Sequence, residues 1–145
     1  MARLYTVDAS VFINAFNDYE AGHELSKEFL RRLRTQSYPI VVPTLLLPEV
    51  AAVIGRGQGD AAKARAFADS LSRLPNLVLV SLDKGLAREA IAVAADNRLR
   101  GSDAVYAAVA IRFGSILVTL DDQQKEWTAS VVSALYPAEA LAQLV

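Results

Sequence analysis

Cysteine is absent from the 145 residues, and there is a single histidine. The first absence excludes disulfides, thiolate nucleophiles and cysteine-based zinc sites outright. With only His23 to add a soft nitrogen ligand, zinc is a poor fit altogether. Long apolar runs are missing too. Stretches such as 40–42 and 45–47 fall far short of the ~20 residues needed to cross a bilayer, so no membrane-spanning segment is expected. The N-terminal residues run straight into Arg3-Leu4-Tyr5-Thr6-Val7-Asp8, without the charged segment and ~7–15 apolar residues of a signal peptide. A cytoplasmic location is the expectation. Internal repeats, low-complexity segments and linker-like stretches are also absent, so residues 1–145 are expected to form one domain.

What is present suits a folded protein: 53% of residues are hydrophobic and 21% charged, enough apolar mass for a sizeable core. The formal net charge of −1 argues against coating nucleic acid by bulk electrostatics, because such affinity scales with the phosphates that Lys and Arg neutralise. It leaves nucleic-acid chemistry open, since a metal bound among carboxylates restores positive charge where a phosphate would sit.

Along the chain, short β-prone runs alternate with helical stretches. Leu4-Tyr5-Thr6-Val7 reads as a strand ending in Asp8, followed by a helix start over 9–16. Gly22 opens a helix whose apolar face carries Leu25, Phe29, Leu30 and Leu33. Residues 39–43 form a proline-bracketed strand, and Thr44 is placed to cap a helix to about Arg56 with Pro48 near its start. The run Gly55-Arg56-Gly57-Gln58-Gly59 reads as the clearest break. A charged helix through Leu74, a strand over 77–80 and a helix over 83–97 come next. Ser102 is the expected N-cap of an apolar helix through Arg112 that stops at Gly114. A strand over 115–119, a short strand over 130–133 and a helix after Pro137 close the pattern. Alternation of this kind, with near-continuous apolar strands, predicts an α/β fold: a central, mostly parallel sheet with helices on both faces.

In open parallel sheets, sites form beyond the carboxyl ends of the strands. Asp8 and Asp121 are expected at such ends, Asp103 at a helix N-terminus where the backbone dipole favours an anion, and Glu49 early in a helix that follows a strand. Clustered carboxylates raise one another's pKa unless a cation neutralises them, and Mg²⁺ or Mn²⁺ prefers such oxygen ligands. Singly, each acid is commonplace: an Asp after a strand or at a helix start is ordinarily just a cap.

Taken in order, the four segments resemble the PIN-domain family, and the likeness runs over nearly the whole chain. The matching motifs are Val7-Asp8-Ala9-Ser10, Leu47-Pro48-Glu49-Val50, Gly101-Ser102-Asp103-Ala104-Val105-Tyr106-Ala107-Ala108 and Thr119-Leu120-Asp121. The toxin ribonucleases of type II toxin–antitoxin pairs are the group most similar. The resemblance implies a PIN-like three-layer sandwich and metal-dependent hydrolysis of RNA phosphodiester bonds, with one or two Mg²⁺ or Mn²⁺ ions. It implies Asp8 and Asp121 as direct ligands, with Asp103 and Glu49 holding metal or its waters. An antitoxin partner and a homodimer are further implications. Asp122 departs from the family pattern, in which a basic or small residue is frequent beside the last acid, and it is expected to face solvent.

Around these acids, Ser10 and Thr119 are candidates to orient a carboxylate or a water. Arg98 and Arg100, just before Asp103, are candidate phosphate contacts, and so is Arg56 if the glycines after it let its side chain reach RNA. Trp127 and Tyr136 are of the type that stacks on bases, although core or interface placement is the commoner use. His23, away from every acid motif, is expected at the surface or at a cap. Two other functions compete: a catalytically silent PIN fold used for protein interaction, and a phosphatase with Asp8 as nucleophile. The latter calls for a second Asp two residues on, where Ser10 stands.

Overall fold

The computed structural model describes residues 3–144. Five strands, β1 (Tyr5–Val7), β2 (Ile40–Pro43), β3 (Leu77–Val80), β4 (Ile116–Val118) and β5 (Ala134–Leu135), make one sheet in the order β3-β2-β1-β4-β5. Every pairing is parallel, so the sheet is wholly parallel among the described residues. A parallel pair requires a crossover, and helices fill each one. They are α1 (Ala9–Phe16), α2 (His23–Thr35), α3 (Leu46–Gln58), α4 (Ala61–Ser72), α5 (Lys84–Asn97), α6 (Gly101–Phe113), α7 (Asp122–Thr128) and α8 (Pro137–Ala142). Among the described residues no helix is long and apolar enough to cross a membrane.

Side chains alternate across the strands and so divide the core between the two faces of the sheet. Tyr5, Val7, Ile40 and Val42 pack with Val11, Phe12, Phe29 and Leu33 of α1 and α2. On the other face Val41 packs with Leu86 and Ala90 of α5 and with Ala104, Val105 and Val109 of α6. The result is the three-layer arrangement that the alternation predicts. One polar pair interrupts it: Thr6 Oγ1 donates to the Val41 carbonyl at 2.7 Å and lies 2.5 Å from Ser115 Oγ, a buried contact that ties three strands together.

Four local expectations are corrected. The glycine-rich run 55–59 does not break the chain. Helix α3 continues through Gln58 and ends at Gly59, whose φ of +60° suits glycine. A Cβ on Gly55 would meet Ala64 Cβ at 3.7 Å, an ordinary contact, so Gly55 carries only the roughly 1 kcal/mol propensity cost of a helical glycine and does not end α3. Thr44 does not cap α3; its Oγ1 instead accepts from the Leu82 N–H at 3.3 Å, joining the loops after β2 and β3. Ser102 lies inside α6, because the helix begins at Gly101 with Arg100 in the capping position. The last strand is Ala134–Leu135, not 130–133, and residues 122–128 are helical because Asp121 caps them.

The sheet order reverses direction at β1, which has β2 on one side and β4 on the other. Crevices in open α/β sheets form at such a switch point, beyond the carboxyl ends of the strands. The segments leaving β1 and β4 carry Asp8 and Asp121.

Candidate carboxylate site

Two hydrogen bonds stitch those segments together. Asp8 N–H donates to the Val118 carbonyl at 2.9 Å, and Leu120 N–H donates to Ser10 Oγ at 3.1 Å. Asp8 caps α1 by accepting from Ser10 N–H through Oδ2 at 3.0 Å. Asp121 caps α7 by accepting from Gln123 and Gln124 N–H through Oδ1, at 3.0 and 3.1 Å. Thr119, fully buried, accepts from Asp121 N–H through Oγ1 at 3.0 Å. Helix capping, the commonplace role for these acids, is therefore real. It uses one oxygen of each carboxylate and fixes the direction of the other.

Asp103 lies in the first turn of α6, a helix otherwise buried from Ala104 to Ala110. Glu49 lies in the first turn of α3 and accepts a 2.7 Å hydrogen bond from the Tyr106 hydroxyl. The structure thus gathers Asp8, Glu49, Asp103 and Asp121 around one rim, and their mutual electrostatics register it. Burial pushes the Asp8 carboxyl above the usual range, with the Asp121 charge adding to the rise. Glu49 is raised by burial and by Asp8 and Asp103, against the opposing Tyr106 hydrogen bond. Asp103 is raised by burial and by Asp8 and Asp121, against Arg100. Tyr106 is held strongly in its neutral form by burial beside Glu49 and Asp8.

Among the described residues, Arg100 is the cation in contact with the group. Its Nε donates to Asp103 Oδ2 at 3.0 Å and its Nη2 to Asp121 Oδ2. Arg100 thereby occupies, with a guanidinium, the oxygens that a divalent ion would use. Among the described residues no three His, Asp or Glu side chains are drawn up as a finished cation cage, and two of the four acids instead share this arginine. The donor set still fits a hard ion: the four acids offer oxygen ligands alone, and the groups that repel one another are those a dication would relieve.

Two contributors escape sequence reasoning. Tyr106 follows Asp103 by three residues, one helical turn on the same face, a spacing that could have flagged it. Gln124 follows Asp121 by the same step. It is completely buried, and neither of its amide atoms has a normal hydrogen-bond partner. Its amide lies close enough to Asp8 to favour that carboxylate's charged form. A buried amide left unpaired costs about 1–3 kcal/mol, and the Asp8 carboxylate is the polar group that Gln124 favours.

The remaining candidates separate. Arg56 is exposed in the last turn of α3, about 10 Å of helix rise beyond Glu49. The helical course of residues 55–58 removes the flexible reach expected of it. Arg98 is exposed, with a φ of +55° at the end of α5, and makes no ion pair among the described residues. Tyr136 is engaged, its hydroxyl donating to Asp122 at 2.7 Å while Lys125 covers its ring. Asp122 is exposed and bonded there, outside the acid group. His23 is buried rather than at the surface, its Nδ1 2.9 Å from the Asn14 carbonyl and its Nε2 3.2 Å from Asp18.

The model of the PIN domain matches residues 5–128. The chain belongs to the PIN-domain family. Its fold is similar to that of VapBC2 from Rickettsia felis bound to a promoter DNA fragment, at TM-score 0.70 and 14% identity over 92% of this chain and 98% of that one. PAE2754 from Pyrobaculum aerophilum is similar at TM-score 0.72 and 22% identity, over 99% of this chain and 90% of that one. Mycobacterium tuberculosis VapC20, described as a sarcin-ricin loop cleaving toxin, is similar at TM-score 0.69 and 19% identity, over 87% of this chain and 94% of that one. No curated protein matches the chain in sequence.

Two outcomes follow for the metal-free protein. Because Asp8, Glu49 and Asp103 all titrate above their ordinary range, the folded chain keeps protons that the unfolded chain has released. That stabilisation is complete below the ordinary carboxylate range and is lost as pH rises through the raised values. The exposed Glu28–Arg31 pair, which holds Glu28 low, acts only at more acidic pH. Thermal unfolding in EDTA should therefore give a higher Tm at about pH 5 than at about pH 8; a Tm that climbs across that interval contradicts the cluster. Replacing the unpaired amide by Gln124→Leu should raise Tm by about 2–6 °C, and an equal fall would show that the amide is satisfied in solution.

Proposed function

We propose that this PIN-domain protein is a metal-dependent endoribonuclease, the toxin of a type II toxin–antitoxin pair. The observation that carries the reading is the meeting of Asp8, Glu49, Asp103 and Asp121 near the switch point of the sheet, where Asp121 raises the cost of charge on Asp8, Asp8 and Asp121 on Asp103, and Asp8 and Asp103 on Glu49. A rim of that kind is suited to a hard dication and, through it, to a phosphate. The likeness to VapC20 and to toxin–antitoxin complexes from Rickettsia felis and Klebsiella pneumoniae favours RNA as substrate and an antitoxin as partner. A homodimer in the cytoplasm is part of the same reading.

In this proposal Asp8 and Asp121 hold the ion directly through the oxygens not used in capping, and Asp103 and Glu49 hold the ion or its waters. One or two Mg²⁺ or Mn²⁺ ions, when bound, supply a nucleophilic water and neutralise charge on the phosphate. Ser10 and Thr119 act on the backbone: by accepting from Leu120 and Asp121 N–H they set the loop that aims the Asp121 carboxylate. Tyr106, neutral at any working pH, steadies Glu49. Arg100, which pairs with Asp103 and Asp121, would have to release them to a bound ion and is placed to contact an RNA phosphate, a role for which Arg is well suited.

One observation favours a second reading. The guanidinium of Arg100 already neutralises two of the acids, as it would in a silent PIN fold kept for protein interaction. Calorimetry with Mn²⁺ and an RNA cleavage assay separate the two. The nuclease should bind Mn²⁺ with measurable heat, Asp8→Asn should lose cleavage by more than about 100-fold, and Arg100→Gln should bind Mn²⁺ about tenfold more tightly while cleaving more slowly. Equal cleavage by wild type and Asp8→Asn, or no Mn²⁺ heat in either protein, refutes the nuclease.

A further inference from the structure

The chain has one tryptophan, and it is 39% exposed in the last turn of α7. Helix α7 is capped by Asp121, so Trp127 stands six residues, about 9 Å of helix rise, from a member of the acid group. Opposite it is the end of α5. Asp96, Asn97 and Arg98 line a shallow cavity of about 260 Å³ together with the indole. Asn97 is committed to holding this arrangement: its Nδ2 donates to the Val93 carbonyl at 2.9 Å, and its Oδ1 accepts from Ser130 Oγ at 3.4 Å, just beyond α7. Arg98 and Asp96 are exposed, and their side chains have no hydrogen-bond or ion-pair partner among the described residues.

The cavity adjoins, through residues 98–100, the arginine that reaches two of the acids. Leu99 is buried between the exposed Arg98 and Arg100, and Arg100 reaches Asp103 and Asp121. A strand of phosphates passing the acids therefore meets one guanidinium at the rim and a second, unpaired one beside an open aromatic face. Every nucleobase has a π face that stacks on such a ring whatever its sequence, and the attached phosphate answers the guanidinium. Asp96 repels phosphate, which leaves the N–H groups of a base edge as its match.

We propose that Trp127 and Arg98 form a nucleotide subsite for single-stranded RNA, in which a base flanking the scissile phosphate stacks on the indole and its phosphate pairs with Arg98. The proposal rests on the ribonuclease reading, and its test is independent of turnover. A protein partner would also use an exposed Trp and Arg, but Arg98 stands two residues from Arg100, which reaches the acids proposed to meet phosphate, and this favours the nucleotide.

Because Trp127 is the sole tryptophan, its fluorescence reports on the subsite alone. The full chain, as wild type in EDTA and as Asp8→Asn in Mg²⁺, is titrated with short single-stranded oligoribonucleotides, and with an abasic oligomer of the same length. Saturable quenching by the oligoribonucleotide, with little by the abasic chain, is expected. In parallel, anisotropy of a labelled oligoribonucleotide should show Trp127→Ala and Arg98→Gln binding roughly tenfold more weakly, and Trp127→Phe close to wild type. RNA binding without quenching overturns the subsite, as does unchanged affinity in Trp127→Ala. Quenching that follows protein concentration without RNA does so too, and assigns the indole to a second copy of the chain. If quenching occurs but no metal-dependent cleavage does, the subsite stands and the nuclease reading falls. If cleavage occurs while Trp127→Ala keeps its KM and wild type shows no quenching, the subsite alone falls.

Discussion

Carboxylates brought together at a half-buried rim repel one another, and burial adds to the cost of charging each of them. Asp8, Glu49 and Asp103 all carry that penalty in the same direction, from the same two causes. Such a group persists only if something compensates, and three compensations are visible. Helix N-termini supply backbone donors to Asp8 and Asp121. The Tyr106 hydroxyl supplies one to Glu49. Arg100 supplies a full positive charge to Asp103 and Asp121. Each is partial, and a divalent ion is what the proposed function adds to complete them.

The rest of the fold is arranged around that constraint. A parallel sheet with its order reversing at β1 puts two loops side by side, and the bonds from Asp8 N–H to Val118 and from Leu120 N–H to Ser10 hold them in register. On one face α6 contributes Asp103 and Tyr106 from adjacent turns, while α3 brings Glu49 from the other side of the strand order. Gln124 belongs to the same logic. Its buried amide has no normal hydrogen-bond partner and lies beside the Asp8 carboxylate, whose charged form it favours.

Much of this was legible in residue order. The alternation of short apolar runs with amphipathic stretches reports a parallel α/β sheet because strands covered on both faces must be apolar throughout. Each of the four acids, alone, reads as an ordinary cap or helix charge, and only their order and the resemblance to the PIN-domain family set them apart. Local punctuation was less reliable. The glycines at 55 and 57 look like a break, yet both lie inside α3, which runs on to Gln58. Residues 130–133 look like a strand, although the pairing with β4 falls on Ala134 and Leu135. Side-chain partnerships were least legible. Nothing in the order of residues says that Arg100 turns toward acids on two different elements, that Gln124 is sealed beside Asp8, or that Trp127 and Arg98 share a cavity, because these depend on how helices pack and not on local pattern.

The most direct test of the account is anomalous diffraction from crystals grown or soaked with Mn²⁺. The account predicts a single strong peak or a close pair within bonding distance of Asp8 and Asp121, with Asp103 and Glu49 reaching the ion or its waters and the Arg100 guanidinium withdrawn from both aspartates. A saturating soak that leaves no peak there, with Arg100 still bridging Asp103 and Asp121, would contradict it.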